Sequence, residues 1–169
     1  MRRKSVFRRF GFSLVLALGV VAVSTSAALA TKPEKSHVSV DTNYQITNVC
    51  SFDFSIDSHA DILAIHYFDK NGALIRIYNH VNEQDTFSAN GKTIVGLPFT
   101  FDIEALYAKD GTLTSLTAVG VVEKVRLPNG RLFFSAGFVD YLAHPDAQFI
   151  LTADRGISGN VRALCAALS

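Results

Sequence analysis

The sequence predicts an all-β protein: an antiparallel meander of about eight to ten short strands, with a calycin-like β-barrel favoured over a β-sandwich. Four tight turns end in glycine at positions 72, 91, 111 and 130, so successive turns lie 19, 20 and 19 residues apart. That interval fits two short strands and one return turn. Asn-Gly or Asp-Gly between alternating apolar stretches is a strong hairpin signal, and near-continuous hairpin connection favours a barrel.

The first thirty residues have the layout of a secretory signal peptide. Five basic residues lie among the first nine, an apolar stretch runs from Gly11 to about Val23, and Ala28-Leu29-Ala30 ends the segment. Cleavage after Ala30 predicts a secreted, extracellular protein, and an uncleaved membrane anchor is the alternative, since residues 11–30 could just span a bilayer. Removing residues 1–30 changes 16 basic and 15 acidic residues to 11 and 15, a net charge of −4 with histidine neutral. A mildly acidic domain argues against nucleic acid or an anionic membrane as partner.

Residues 31–45 are polar and predict a flexible N-terminal tail, and residues 46–169 predict a single antiparallel β-domain. Period-2 alternation marks a strand over 50–56 and another over 99–107. The remaining expected strands are 62–69, 73–81, 86–90, 92–95, 112–118, 121–127, 131–141, 148–153 and 161–167. A terminal helical turn over 162–168 is the alternative to the last strand.

The first glycine turn allows two registers. A type I turn ending in a bulge at Gly72 pairs Asp69 with Ala73 and sends His66 and Arg76 together to the outer face. A two-residue turn places His66 on the same face as Ile75 and Ile77 instead. We prefer the first register because it leaves the charged groups in water. In the preferred register the other face of the hairpin is also apolar, which indicates cover on both sides by another element, a partner chain or a ligand.

The Pro128-Asn129-Gly130 turn gives conflicting signals. Pro128 suits the second position of a type I turn. A two-residue Asn-Gly turn would match Val125 with Phe134 more favourably, and the sequence leaves the register open.

The two cysteines, Cys50 and Cys165, lie near the two ends of the predicted domain. In an exported protein an even pair predicts a disulfide. Free thiols or a two-cysteine metal site are the alternatives, and the absence of a neighbouring histidine or a CxxC motif argues against them.

The titratable residues form no recognisable catalytic, cofactor-binding or metal motif. The histidines are scattered at positions 37, 59, 66, 80 and 144. In the preferred register His66 and His80 share a face but lie roughly 13 Å apart along the strands, too far for two ligands of one Zn²⁺. We therefore predict no metal and no cofactor.

Three residues are candidates for lining a pocket: Asp140, Tyr141 and Tyr78. Asp140 lies on an otherwise apolar strand and is the acid most expected to be partly buried. A hydrogen bond to a nearby backbone group is favoured for it over a catalytic role. Asp102 and Glu104 lie on the polar side of a clean alternation, which a solvated face explains.

Several segments resemble small exported proteins of actinobacteria that are described only as hypothetical secreted proteins. The segments are Cys50-Ser51-Phe52, the stretch Tyr67-Phe68-Asp69-Lys70-Asn71-Gly72-Ala73-Leu74, Asn90-Gly91-Lys92 and the ending Gly159-Asn160-Val161-Arg162-Ala163-Leu164-Cys165-Ala166-Ala167-Leu168. The resemblance covers residues from about 49 to the C-terminus and departs at Ser51, where the family often has glycine. It implies export and a Cys50–Cys165 bridge, and it implies no activity.

The pattern as a whole favours a non-enzymatic secreted module that binds a small apolar ligand or a surface partner. A barrel enzyme of the cyclase or isomerase type and a structural protein of the cell envelope are the alternatives. A cluster of inward polar residues would favour the enzyme, whereas an open apolar interior would favour binding. An interior filled by phenylalanine would contradict both. The sequence does not specify an oligomeric state.

Overall fold

The computed structural model describes residues 32–144 and 154–169 and confirms the antiparallel all-β meander. The strands are β1 (Glu34–Ile46), β2 (Phe54–Phe68), β3 (Leu74–Ala89), β4 (Lys92–Val95), β5 (Phe99–Tyr107), β6 (Leu113–Arg126), β7 (Leu132–Asp140) and β8 (Arg155–Ile157), and one helix, α1 (Val161–Leu168), follows. They form one sheet in the order β1-β2-β3-β5-β6-β7-β8, with β4 paired to β3. The sheet does not close through its edge strands in the described ranges, so the preference for a barrel stays a prediction. The signal segment 1–30 and the expected strand 148–153 lie outside the described residues.

The expected flexible tail over 31–45 is wrong from Glu34 onward, because β1 occupies these residues. β1 pairs with β2 along its whole length, from Glu34 opposite His66 to Ile46 opposite Phe54. Most of its side chains are exposed on both faces. Backbone hydrogen bonds hold such an edge strand without an apolar face, which is why the hydrophobic pattern gave no sign of it.

Three strands are longer than the sequence predicts. β3 runs without interruption through residues 82–85, and β6 runs through residues 119–120, where breaks were expected. The expected strand over 50–56 begins only at Phe54, and β2 then continues to Phe68. The meander therefore has fewer and longer strands.

The tip of the first hairpin has the preferred turn. The Asp69 amide donates to the Ala73 carbonyl at 2.8 Å, and Gly72 has a φ of 83°. Beyond the tip the preferred register is wrong, because a bulge between Tyr67 and Phe68 shifts the pairing by one residue.

The bulge places His66 and Arg76 on opposite faces. His66 pairs with Ile77 on the inner face, and Arg76 pairs with Tyr67 on the outer face. The Arg76 guanidinium lies 5.0 Å from the centre of the Tyr67 ring, and its Nε lies 2.6 Å from Glu104 Oε1 in an ion pair. The outer face thus supplies the arginine with partners, as a charged group requires.

The second uncertain hairpin takes the three-residue turn. The Leu127 amide donates to the Arg131 carbonyl at 2.8 Å, and Val125 pairs with Phe133 rather than Phe134. Gly130 has a φ of 80°, the left-handed conformation that closes such a turn.

Two apolar clusters lie on the inner face of the sheet. The lower cluster consists of Ile46, Phe54, Ile56, Phe87, Ile94, Val125, Leu127, Phe133, Leu164 and Leu168. The upper cluster consists of Ala60, Val81, Phe99, Phe101 and Ala118. Phenylalanine supplies three of the ten residues of the lower cluster and two of the five residues of the upper cluster.

The C-terminal segment is the helix α1, so the strand expected over 161–167 is wrong and the helical alternative is right. Asn160 caps it, its side-chain oxygen accepting from the Ala163 amide at 3.0 Å. Leu164 and Leu168 are completely buried in the lower cluster. The predicted disulfide is confirmed, since Cys50 and Cys165 are bonded with a Cα–Cα distance of 5.5 Å. The bridge fastens α1 to the segment before β2.

A row of glycines crosses three neighbouring strands. Gly120 of β6 lies opposite Gly137 of β7, which lies opposite Gly156 of β8. Their φ angles are 134°, 149° and 135°, and a Cβ at Gly137 would lie 1.8 Å from a backbone oxygen of β8. A side chain at that position is therefore excluded, and the glycines let the neighbouring backbones approach closely.

Candidate functional site

Five polar side chains are buried on the inner face between the lower and upper clusters. They are Ser58, Glu83, Asp85, Glu123 and Ser135, and we call them the acidic layer; their exposed fractions are 5, 8, 0, 0 and 0%. Carboxylates are almost never buried this deeply unless they are paired. The layer is therefore the feature of the interior that packing alone does not explain.

The alternation of β2 and β3 builds one side of the layer. On β3, Val81, Glu83, Asp85 and Phe87 recur at every second residue, so the two acids share the inner face with the apolar residues that flank them. Ser58 of β2 lies directly opposite Asp85.

A bulge in β6 builds the other side. Ala118 faces inward before the bulge, and Glu123 and Val125 face inward after it, so the inward positions change from even to odd numbers. The register shift lies between Val121 and Glu123, and it places Glu123 directly opposite Ser135 of β7. Bulges redirect side chains in this way.

The hydrogen bonds within the layer leave acceptors without donors. Ser58 Oγ donates to Glu83 Oε1 at 2.6 Å, and the Lys124 amide donates to Glu123 Oε1 at 2.8 Å. Glu123 Oε2, Ser135 Oγ and both carboxylate oxygens of Asp85 are buried and receive no hydrogen bond from a fixed donor among the described residues. Asp85 gains such bonds from Glu123 and Glu83 only while those two carboxyl groups carry protons. An unsatisfied buried polar group costs about 1–3 kcal/mol, and a charged one more.

Burial raises the pKa of all three carboxyl groups because it disfavours their charged forms. The pKa of Glu83 rises to about 7 through burial and the nearby charge of Asp85. The pKa of Glu123 rises to about 10 for the same two reasons. Burial also raises the pKa of Asp85, although hydrogen bonds from Glu123 and Glu83, once these carry protons, favour its charged form. The acidic layer thus holds protons at pH 7.

Of the predicted pocket residues, only Tyr141 adjoins the acidic layer. It packs against the upper cluster. Burial raises the pKa of its hydroxyl, and the negative charge of Glu83 adds to the effect.

The other two candidates lie elsewhere. Asp140 Oδ1 accepts from the amides of Leu142 at 3.0 Å and Ala143 at 3.1 Å, which is the backbone role the sequence favoured over a catalytic one. Tyr78 lies on the outer face, where a hydrogen bond with Asp102 raises its pKa.

The histidines lie away from the layer and from one another. His66 faces inward and His80 outward, and the Nδ1 of His80 lies 2.7 Å from Asp102 Oδ1. His59 lies 2.7 Å from Asp41 at the exposed β1–β2 surface. In the part of the chain that the structure describes, no three histidine, cysteine or acidic side chains are arranged to hold a metal ion.

Above the upper cluster the inner face is only half-buried. This upper inner face consists of Ile62, Ala64, His66, Ile77, Asn79, Ile103 and Leu116, contributed by β2, β3, β5 and β6. It lies on the same face of the sheet as the upper cluster, farther from the acidic layer. The apolar surface therefore extends from the acidic layer outward to solvent.

The fold and the site together define a class: a disulfide-linked antiparallel meander with acids buried on one face and an apolar surface beside them. No known protein family, curated protein or solved structure matches the chain. No helix within residues 32–144 and 154–169 is long and apolar enough to cross a membrane.

Proposed function

We propose that the protein binds a small apolar ligand on the upper inner face. The observation that carries this proposal is the change in burial along one face of the sheet. The exposed fractions of Phe101 and Ala118 are only 2% and 1%, whereas Ile62, Ile103 and Leu116 on the same face are partly exposed. Partly exposed apolar surface next to a packed core, with polar groups alongside, is typical of ligand sites.

The outer face of the same strands supports this choice of side. Arg76 pairs with Glu104 at 2.6 Å, and His80 pairs with Asp102 at 2.7 Å. These partly exposed polar contacts keep the outer face compatible with water. An apolar ligand therefore gains more from the inner face.

Binding of pyrene, a neutral apolar fluorophore, tests the proposal. We expect saturable binding that Ile103→Lys weakens at least tenfold, because the ammonium group would lie among half-buried apolar side chains. The matched control is Val119→Lys, on the opposite face of neighbouring β6, where Val119 is 51% exposed. Circular dichroism verifies that both variants fold. Equal binding by the parent protein and Ile103→Lys would contradict the proposal.

We also infer that the protein acts outside the cytoplasm. The Cys50–Cys165 disulfide supports this, because such bonds persist in oxidising compartments. Mass spectrometry of protein recovered from the culture medium should show cleavage after Ala30 and the loss of two hydrogens. A reduced, uncleaved chain retained in cells would contradict export.

An enzyme of the cyclase or isomerase type is the second candidate, and the acidic layer is the observation that favours it. A carboxyl group with a pKa near 7, such as Glu83, can both donate and accept a proton at neutral pH. Native mass spectrometry can identify a co-purified ligand, which is then incubated with fresh protein. A change in its chromatographic retention at constant mass would support isomerisation, and an unchanged ligand would support binding alone.

A further inference from the structure

We propose that the acidic layer is a binding site for the ammonium group of an apolar primary amine, whose body lies on the upper inner face. This proposal rests on the ligand-binding function proposed above and specifies the chemistry of the ligand.

The acidic layer is short of fixed hydrogen-bond donors. Glu123 Oε2 and Ser135 Oγ belong to fully buried side chains that lie directly opposite each other, and neither atom has a hydrogen-bond partner among the described residues. Asp85 has no fixed donor either, since Glu123 and Glu83 can donate to it only while they carry protons. An ammonium group carries three N–H donors and accepts nothing, which is the complement of these acceptors.

The charge around the layer also favours an ammonium group. The groups that face it are Ser58 from β2, Glu83 and Asp85 from β3, Glu123 from β6, Ser135 from β7 and the adjoining Tyr141. The charges of Asp154 and Tyr44 act on the Tyr141 hydroxyl, and Asp154 itself lies 3.4 Å from His144 Nε2. In the described ranges no lysine, arginine or histidine forms an ion pair with any of the three acids of the layer. Lys124 approaches it only through its backbone amide. Among the described residues, the layer therefore has no cation of its own.

The position of the layer also favours an ammonium group. Glu83 is the most exposed acid of the layer, at 8%, and its strand neighbours Ala60 and Phe99 belong to the upper cluster. The carbon chain of an amine with its ammonium group near Glu83 would pass Ala60 and Phe99 of the upper cluster before it reached the upper inner face. Because the described acids are not arranged to hold a metal ion, an organic cation fits this surface better than a metal.

Proton release provides a direct test. A bound cation favours the charged forms of the surrounding carboxyl groups, so binding should expel protons that the acidic layer holds at neutral pH. An alkyl amine stays protonated below about pH 10. The affinity for the amine should therefore rise with pH between 5.5 and 8, by up to about tenfold per unit for each proton released.

Isothermal titration calorimetry of the purified protein compares the affinity for 2-phenylethylamine with the affinity for the uncharged 2-phenylethanol. At pH 7.5 we expect the amine to bind at least about tenfold more tightly, the value of one good charged contact. Repeating the titration in two buffers of different ionisation enthalpy should reveal the expelled protons. The alcohol should show neither the pH dependence nor the proton release.

Glu123→Gln is the variant that assigns the effect to the layer, with Glu34→Gln on the exposed surface of β1 as the matched control. We expect Glu123→Gln to remove most of the preference for the amine without changing the affinity for the alcohol. Equal binding of amine and alcohol by the parent protein would overturn the ammonium site and leave apolar-ligand binding intact. If neither compound binds and pyrene does not bind either, both proposals are overturned.

Discussion

Replacing Glu123 with glutamine is expected to stabilise the ligand-free protein at neutral pH. Glutamine has nearly the same shape, its carbonyl can still accept from the Lys124 amide, and its N–H groups can donate to the unpartnered oxygens of Asp85. The substitution also removes the need to keep a proton on a buried carboxyl group. The effect should therefore depend on pH in a defined direction.

The magnitude follows from proton linkage. The pKa of Glu123 is raised from 4.5 to about 10 in the folded protein. Its contribution to stability is complete below pH 4.5 and falls as pH rises, because the unfolded chain loses a proton that the folded chain keeps. Each pH unit above 4.5 lowers the free energy of unfolding by about 1.36 kcal/mol. At pH 7, about 2.5 units higher, the loss is therefore about 3 kcal/mol. Glu123→Gln should recover about this much at pH 7 and very little at pH 4.

Urea unfolding with the disulfide intact measures the difference. The free energy of unfolding of the parent protein and of Glu123→Gln is compared at intervals from pH 4 to pH 8. Glu34→Gln, in the exposed edge strand, serves as the control and should stay within about 0.5 kcal/mol of the parent throughout. A Glu123→Gln variant that is no more stable than the parent at pH 7.5, or that gains equally at pH 4, would refute the reasoning.

Three further substitutions test other parts of the structure. Replacing Cys50 and Cys165 together with serine should lower the free energy of unfolding by about 4–5 kcal/mol, since the bridge closes a loop with a separation of 115 residues; unchanged urea midpoints would argue against the bond. Gly137→Ala should prevent or severely weaken folding because its Cβ would lie 1.8 Å from a backbone oxygen. Gly72→Ala meets no atom within 4 Å and should cost only about 1–2 kcal/mol for its positive φ. Thermal melts that show equal losses of stability for the two variants would contradict this contrast. Ser135→Ala should stabilise the ligand-free protein by about 1 kcal/mol by removing an unsatisfied buried hydroxyl, and destabilisation in urea would show that the hydroxyl has a partner.

The fold class could be predicted because turn chemistry is local. The turns at Gly72 and Gly130 take the left-handed backbone that their residue types favour, and the two cysteines are bonded as expected. The strand β1 could not be predicted, because an edge strand held by backbone hydrogen bonds needs no apolar periodicity.

The acidic layer was missed because its residues resemble a loop. Asn82, Glu83, Gln84 and Asp85 are residue types depleted in strands, so the sequence suggested a break where β3 in fact continues. One signal was present: Val81, Glu83, Asp85 and Phe87 recur with period 2, which places the acids on the apolar face.

The third acid could not be assigned to the inner face from sequence. A strict period of 2 from Ala118 would put Glu123 on the outer face, and only the bulge after Val121 reverses the alternation. Bulges depend on tertiary packing and leave a weak local signature. The register beyond Gly72 was wrong for the same physical reason, since one extra residue in β3 moves every side chain to the other face.

The central claim is that the interior of this sheet holds protonated carboxyl groups at neutral pH. Carbon-13 NMR titration of the glutamate side-chain carboxyls measures it directly, with Glu83→Gln and Glu123→Gln assigning the resonances. We expect the Glu83 carboxyl to titrate near pH 7 and the Glu123 carboxyl to remain protonated well above it. Titration of both residues near the ordinary value of about 4.3 would contradict the claim.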